Sequence, residues 1–383
     1  MRMRSVALSL LLGGVGCQVA VTRPPAVGPV VRVPFTVDLG GWTSAAELVH
    51  PQAGSVHGDG PWPVVLLLSG NGPHDMDVTL PGPDGPVKLF AQLADVLAAR
   101  GLAVVRCHKR FVKGPGRFDA KFWRQQSTVQ FVADAHKVLA AALAMPACDA
   151  QRVFVHGWSE GTAVGAQLAV ERHDIDGLVL QGAVGLPWRE MVRSWIVDVG
   201  VPYAQGADGG SVTDDELAAA LRGDGGMVAK LGASFLSEPM AFGGKVKVSS
   251  RLDTNGDGAL DPATEIAPQV EAMLDFAFAP GGNTWIYAEG RTVPPVTAHV
   301  AALTMPLLIL QGEHDASTPL RSGRALAAAC REAGCDVTYW ELPGLGHTLG
   351  PAASCVDDRG RAPAETTLVQ IATWIVARAA AVR

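Results

Sequence analysis

Short runs of aliphatic residues, separated by amphipathic helical patterns, constrain this chain more than any other feature. Val64 to Leu68 is one such run, bounded by Pro63 and Gly70. A strand that is apolar at every position leaves no face for water, so it belongs inside a sheet covered on both sides. A helical pattern follows from Val87 to Arg100 and stops at Gly101, a residue that accepts the left-handed backbone of a helix end without steric cost. The alternation repeats as strand Ala103 to Arg106, helix Val129 to Leu143, strand Val153 to Val155, helix Thr162 to Glu171 and strand Gly177 to Leu180. Beyond a gap come strand Leu307 to Leu310, helix Arg321 to Glu332, strand Val337 to Glu341 and helix Glu365 to Ala380. Val31 to Asp38 and Ala46 to Val49 read as two short strands at an N-terminal sheet edge. Alternating strands and helices predict an α/β fold with a mainly parallel sheet and helices on both faces.

The gap, residues 187–304, reads as mostly helical and irregular, with Thr213 and Glu216 forming a capping box that opens a helix over Leu217 to Leu221. Its position between two sheet strands suits a lid or cap, inserted before the strand that carries the next acidic loop. Its composition equally suits an independent small domain. On the first reading, residues 31–186 and 305–383 are the two parts of one sheet domain.

Hydrophobic residues make up 48% of the 383 residues and charged ones 18%, which supplies a sizeable core and excludes intrinsic disorder. Lys and Arg total 31 against 37 acidic residues, a net charge of -6 with no basic block, so a nucleic-acid partner is not expected. Mean hydropathy is positive, yet the longest apolar stretch, Val6 to Gly16, is shorter than the ~20 residues a membrane span needs. With Arg2 and Arg4 before it and small residues from Gly13 to Gly16 after it, residues 1–16 match a secretory signal peptide, so export is expected. Cys17 then resembles a bacterial lipoprotein processing site that would attach the mature chain to a membrane, although Gly14 stands where Leu or Val is usual; plain secretion is the alternative. A Pro-rich linker completes residues 17–30. The remaining Cys107, Cys148, Cys330, Cys335 and Cys355 are odd in number, so at least one thiol stays free, and their spacing is not that of a zinc site.

The strongest chemical signal is the run from Val153 to Gly161, in which a buried strand leads straight into Gly157-Trp158-Ser159-Glu160-Gly161 and then a helix. A turn that sharp requires glycine on either side of the serine, and it lifts the hydroxyl above the sheet edge. A serine hydroxyl is a poor nucleophile without an adjacent base. Downstream, Asp315 follows the strand Leu307 to Leu310, and His347 follows the last strand, so all three residues sit at C-terminal strand ends, where open α/β sheets build their sites. The order Ser, Asp, His is that of one known constellation. Glu313 and His314 flank Asp315, and His156, His173 and His299 read as structural.

These residues resemble the α/β-hydrolase superfamily, in particular its esterases and dienelactone-hydrolase-like members, over about Val31 to Ala380 apart from the insertion. The resemblance implies Ser159 as nucleophile, Asp315 as orienting acid through its G-x-x-D spacing from Gly312, and His347 as base. It also implies an oxyanion hole formed by the amide of Glu160 and a second amide from the loop Ser69 to Asp77, which is similar to the family's H-G-x-G loop. Asn71 is the choice there, with Gly72 as the alternative; Ser69 replaces the usual His, a tolerable departure because the backbone makes the contact.

A second motif lies inside the insertion. Asp253, Asn255, Asp257 and Asp261, with the carbonyl of Ala259 and with Gly258 for the turn, match the first nine positions of an EF-hand calcium loop. The expected closing glutamate, Glu265, comes one residue late. Clustered carboxylates repel each other unless a cation sits among them, so a structural calcium ion is expected, against a solvated acidic turn. No cofactor is needed for the chemistry. The expected activity is hydrolysis of a small-molecule carboxylic ester through an acyl-enzyme. A peptidase, thioesterase or acyltransferase with the same triad, and a non-catalytic calcium-stabilised surface binding protein, remain as alternatives.

Overall fold

The computed structural model describes residues 25–238, 244–282 and 284–382, so the expected signal segment, residues 1–16, and Cys17 lie outside the described residues. Eight strands form the central sheet: β1 (Val30–Asp38), β2 (Thr43–Pro51), β3 (Trp62–Leu68), β4 (Ala103–Cys107), β5 (Cys148–Trp158), β6 (Gly177–Gln181), β7 (Leu307–Gly312) and β8 (Val337–Leu342). Their spatial order is β1-β2-β4-β3-β5-β6-β7-β8. β1 and β2 pair antiparallel, β2 meets β4 antiparallel, and every pairing from β4 to β8 is parallel.

The parallel strands bury both faces, as their apolar runs require. In β3, Val64 and Leu66 enter one core and Val65 and Leu67 the other; in β7, Leu307 and Ile309 face one way and Leu308 and Leu310 the opposite way. This two-residue alternation follows from the pleat. Helices α1 (Leu89–Ala98) and, at the chain's end, Glu365–Ala381 cover one face. On the other lie α2 (Thr128–Leu143), α3 (Glu160–Glu171) and, later in the chain, Leu320–Glu332. The mainly parallel α/β sheet with two helical layers is therefore as expected.

Element ends moved where local chemistry competes with periodicity. α1 begins at Leu89 because Val87–Lys88 pairs with Thr79–Leu80 in a short ladder. α3 begins at Glu160, two residues before the predicted start. A hairpin of Val112–Gly114 with Arg117–Phe118 after β4 had no signal in the apolar pattern.

The chain between β6 and β7 holds α4 (Trp188–Ser194), which runs into a π-helical stretch Trp195–Gly200, then α5 (Asp214–Arg222), α6 (Met227–Ser234) and α7 (Val270–Phe278). α5 carries the predicted capping box: Glu216 N donates to Thr213 Oγ1 and Thr213 N to Glu216 Oε2. These helices share their own apolar cluster, including Ile196, Leu217, Leu236, Leu260 and Leu274, which also takes in Ala316 beside the acidic loop. From Tyr287 onward the segment rejoins the sheet core through Val293, Val296 and Leu303. The insertion thus stands on the C-terminal edge of the sheet. Among the described residues no helix is long and apolar enough to cross a membrane.

Candidate active site

β5 ends at Trp158 and α3 begins at Glu160, leaving Ser159 alone to reverse the chain. It does so at φ 57° and ψ −124°, a backbone conformation that L side chains rarely adopt. The flanking glycines allow it: a Cβ on Gly157 would lie 2.3 Å from the Gly161 carbonyl oxygen, and one on Gly161 would lie 2.1 Å from that of Leu68.

Asp315 and His347, 32 residues apart, meet at the same edge, with His347 Nδ1 at 2.9 Å from Asp315 Oδ2. Asp315 is 1% exposed, and its oxygens also accept from the backbone N–H groups of Ser317 and Thr318, from Thr318 Oγ1 at 2.6 Å and from Gln311 Nε2 at 3.1 Å. So many donors pin the carboxylate in place. Burial pulls the His347 imidazole down from its ordinary range, but the Asp315 carboxylate and its hydrogen bond outweigh this, so the net shift is upward. The histidine loop is held from three further directions. Trp158 Nε1 and Gln181 Nε2 donate to the His347 carbonyl at 3.1 and 3.4 Å, and Asp358 Oδ2 accepts from the N–H groups of His347 and Ala316 at 3.0 and 3.1 Å. Asp358 thereby ties the histidine loop to the acidic loop, while burial and the nearby Asp315 charge push its own carboxyl upward.

Among the described residues the Ser159 hydroxyl has no hydrogen-bond partner within 3.5 Å. Contacts between such a serine and its base are often long before substrate binds. The loop after β3 presses on the serine: a Cβ on Gly70 would lie 2.8 Å from Ser159 Cβ and 3.1 Å from the Trp158 ring. The N–H groups of Asn71 and Glu160 have no acceptor among the described residues.

Glu160 offers more than its amide. Its carboxylate is fully buried, 2.6 Å from Lys109 Nζ on one oxygen and accepting from Tyr287 Oη at 2.8 Å on the other. Burial lowers the Lys109 ammonium from its usual value, with Glu160 acting against that, and burial raises the Tyr287 phenol, reinforced by the Glu160 charge. Tyr287 stacks on Trp188 at 3.7 Å between ring centroids, joining both ends of the insertion to this cluster. Neither Lys109, Tyr287 nor Asp358 was singled out in the sequence. Lys109 has the one usable signal, its place just past the C-terminal end of β4; a tyrosine in an irregular insertion and an aspartate beyond the last strand have none.

His156 is buried and bonds Gln181 Oε1 at 3.1 Å, so it supports the residue that supports His347; burial holds it down to about 4 despite that bond. Glu313 accepts from Gly344 N at 2.9 Å. The described cysteines, Cys107, Cys148, Cys330, Cys335 and Cys355, are free thiols.

In the insertion, Asp253, Asp257 and Glu265 bring oxygens within 4.8 Å of one another. Glu265 reaches back from the π-helical turn Pro262–Ile266 to accept from the N–H groups of Thr254, Asn255 and Asp261, at 2.8, 3.2 and 2.9 Å. Asn255 and Asp257 accept from the amides two residues on, and Ala259 pairs with Thr213 in a short ladder. Asp261 stands apart from the other carboxylates: its Oδ1 accepts from Ala263 N and Thr264 N and caps the following turn.

A family model described as serine aminopeptidase, S33, matches residues 78–208, and one described as TAP-like protein matches residues 282–362. Esterase EstD of Thermotoga maritima is 33% identical over 138 residues, 36% of this chain and 30% of the relative, so the match spans less than a third of that protein. Proline iminopeptidase of Mycobacterium smegmatis superposes with a TM-score of 0.53 at 18% identity, covering 92% of this chain and 100% of that one. Acylaminoacyl peptidase of Pyrococcus horikoshii covers 84% of this chain and 38% of its own, with a TM-score of 0.49 at 11% identity. The strand order, the two helical layers and the first of these superpositions define the α/β-hydrolase fold. The sequence matches support a hydrolase built on it.

The electrostatics of His347 make a direct prediction. Its imidazole should titrate above the ordinary ~6.5, and Asp315→Asn should lower it, because burial then loses its main counterweight and only the Asp358 charge still opposes it. Nitrogen-edited NMR of the ring protons measures both; an unchanged midpoint in the variant would separate the two residues electrostatically.

Proposed function

We propose that the protein is a serine hydrolase that cleaves carboxylic esters through an acyl-enzyme. The observation that carries this reading is the packing of the buried Asp315–His347 pair, through the His347 ring, on Trp158 at 5.0 Å between ring centroids, next to Ser159 on its left-handed turn. Ser159 Oγ attacks the carbonyl carbon, and His347 takes its proton and passes it to the leaving alcohol. Asp315 holds the Nδ1–H tautomer and stabilises the imidazolium. The amides of Glu160 and Asn71 receive the negative oxygen as it forms, which supplies much of the rate gain in such sites. Water, activated by His347 in turn, releases the acid. The sequence similarity to an esterase supports the ester as substrate. A second reading, cleavage of an aminoacyl amide, is favoured by the serine aminopeptidase model over residues 78–208. The helical insertion is read as the lid that selects the substrate.

Two expectations accompany the activity. The loop from Asp253 to Glu265 is a structural calcium site in which Asp253, Asn255, Asp257, the Ala259 carbonyl, Asp261 and Glu265 would hold the ion; hard oxygen donors suit this cation. The chain is exported and attached to a bacterial membrane through a lipid on Cys17.

A fluorophosphonate probe should label Ser159, and His347→Ala should reduce both labelling and kcat, the latter by about 10⁶-fold; equal labelling in the variant would sink the triad. Comparing kcat/KM for matched esters, thioesters and aminoacyl amides then separates the ester reading from the amide one. Because His347 must be neutral to act, kcat/KM should climb with pH through its raised midpoint. Calorimetric titration should detect calcium binding that Asp253→Ala or Asp257→Ala weakens by tenfold or more, on the order expected for a lost charged ligand; no heat in the parent protein would leave an acidic turn. Cys17→Ser should move the protein from the membrane fraction to the soluble one, and an unchanged distribution would exclude the lipid anchor.

A further inference from the structure

Lys109 does more in this structure than balance a buried charge. Its ammonium donates to two acceptors, the carbonyl oxygen of Gly70 and Oε1 of Glu160, the latter at 2.6 Å. It rests 4.4 Å from the centre of the Phe131 ring, and its side chain is 10% exposed against 0% for Glu160. Each acceptor belongs to one half of the proposed oxyanion hole. Glu160 is the residue whose own N–H forms one half. Gly70 C=O belongs to the same peptide unit as Asn71 N–H, which forms the other.

That shared peptide unit is decisive. In a planar trans peptide the C=O and N–H point in opposite directions, so fixing one fixes the other. With Lys109 holding the Gly70 oxygen, the Asn71 N–H is turned to the far side, where it has no protein acceptor. A cation on the carbonyl also polarises the unit and strengthens its N–H as a donor. The neighbouring backbone adds two staples between the same segments: Lys109 N donates to His74 O at 3.1 Å, and Met76 N donates to His108 Nδ1 at 2.7 Å. Tyr287 Oη closes the other side by donating to Glu160 Oε2 at 2.8 Å from the returning end of the insertion.

We propose that Lys109 is a positioning residue that clamps the two oxyanion donors to each other, through Gly70 C=O on one side and the Glu160 carboxylate on the other, with Tyr287 locking the clamp to the insertion. The proposal rests on the hydrolase reading above. It assigns Lys109 no contact with substrate. Its effect is confined to the transition state, because the oxyanion exists only there, so kcat responds and substrate binding does not.

The test compares the parent protein with Lys109→Met, and with the double variant K109M/E160Q, which removes both charges and so leaves no unpaired buried carboxylate to unfold the chain. Three quantities are read: kcat and KM on the best ester, the inhibition constant of an alkylboronic acid, and the thermal midpoint. The boronic acid adds Ser159 Oγ to boron as the serine proton passes to His347, and sets a boron-bound oxygen where the oxyanion forms. Expected are a kcat lowered by about 10- to 100-fold, less than the ~10² to 10³ for loss of a whole donor, a KM within about twofold, and a boronate inhibition constant raised by the same factor as kcat falls. The double variant should keep the parent's thermal midpoint within a few degrees and show the same kinetic loss. A kcat close to the parent's in both variants, or a lowered kcat with unchanged boronate inhibition, would overturn the clamp while leaving the hydrolase reading intact. A parent protein that neither turns over acyl substrates nor labels at Ser159 would overturn that reading and the clamp with it.

Discussion

Ser159 at φ 57° is the constraint on which the rest of the site depends. A serine held there costs on the order of 1–3 kcal/mol, and such strain persists only where the surroundings leave the residue no alternative. Here β5 and α3 leave one residue to join them, and the backbones of Gly157, Gly161 and Leu68 approach within distances that exclude any side chain. The same crowding brings Gly70 against the serine Cβ, while the N–H of Glu160, as the first residue of α3, has no acceptor within its own helix. Strain in the turn and the close approach of the Gly70 loop have one geometric origin.

Buried charge organises the ring around that turn. An unpaired buried ion is costly, and each pair must find good hydrogen-bonding geometry to be tolerated. Near the site the chain meets this by letting buried charges bridge separate segments: Asp315 with His347, Asp358 with the amides of His347 and Ala316, Lys109 with Gly70 and Glu160, and Arg110 with Asp134 and the Leu39 and Gly40 carbonyls. Removing a partner exposes the other to the full desolvation penalty, so these pairs lock loop positions more than they add net stability. Loops that would otherwise drift at the sheet edge are held there in fixed relative positions.

Much of the fold was legible because it obeys short-range rules. Apolar runs such as Val64 to Leu68 and Leu307 to Leu310 announce buried strands, and Thr213 with Glu216 announces a helix start through bonds three residues long. The misses were local competitions, as where Val87 and Lys88 left the predicted helix to pair with Thr79 and Leu80. The site was legible only in part. Glycines around Ser159 mark a turn whose steric demand is written in five residues, and Asp315 and His347 can be picked out because they follow strands. Lys109, Tyr287 and Asp358 escaped, since nothing near them in the chain reveals a partner 51, 127 or 11 residues distant. The late Glu265 shows the same limit: a loop count places it outside the pattern, while a π-helical turn brings its carboxylate back to Asp253 and Asp257.

By itself, then, the sequence determined the alternation of strands and helices, the parallel sheet they imply, the sharp turn at Ser159 and the place of the insertion between two strands. These are matters of side-chain period and backbone sterics, and both act within a few residues. The tertiary structure decided which carboxylate meets His347, which cation holds the Gly70 peptide, and where the insertion touches the sheet edge. Those choices rest on burial, which no residue has until the whole chain has packed, and on charge pairing, which burial makes strong enough to matter.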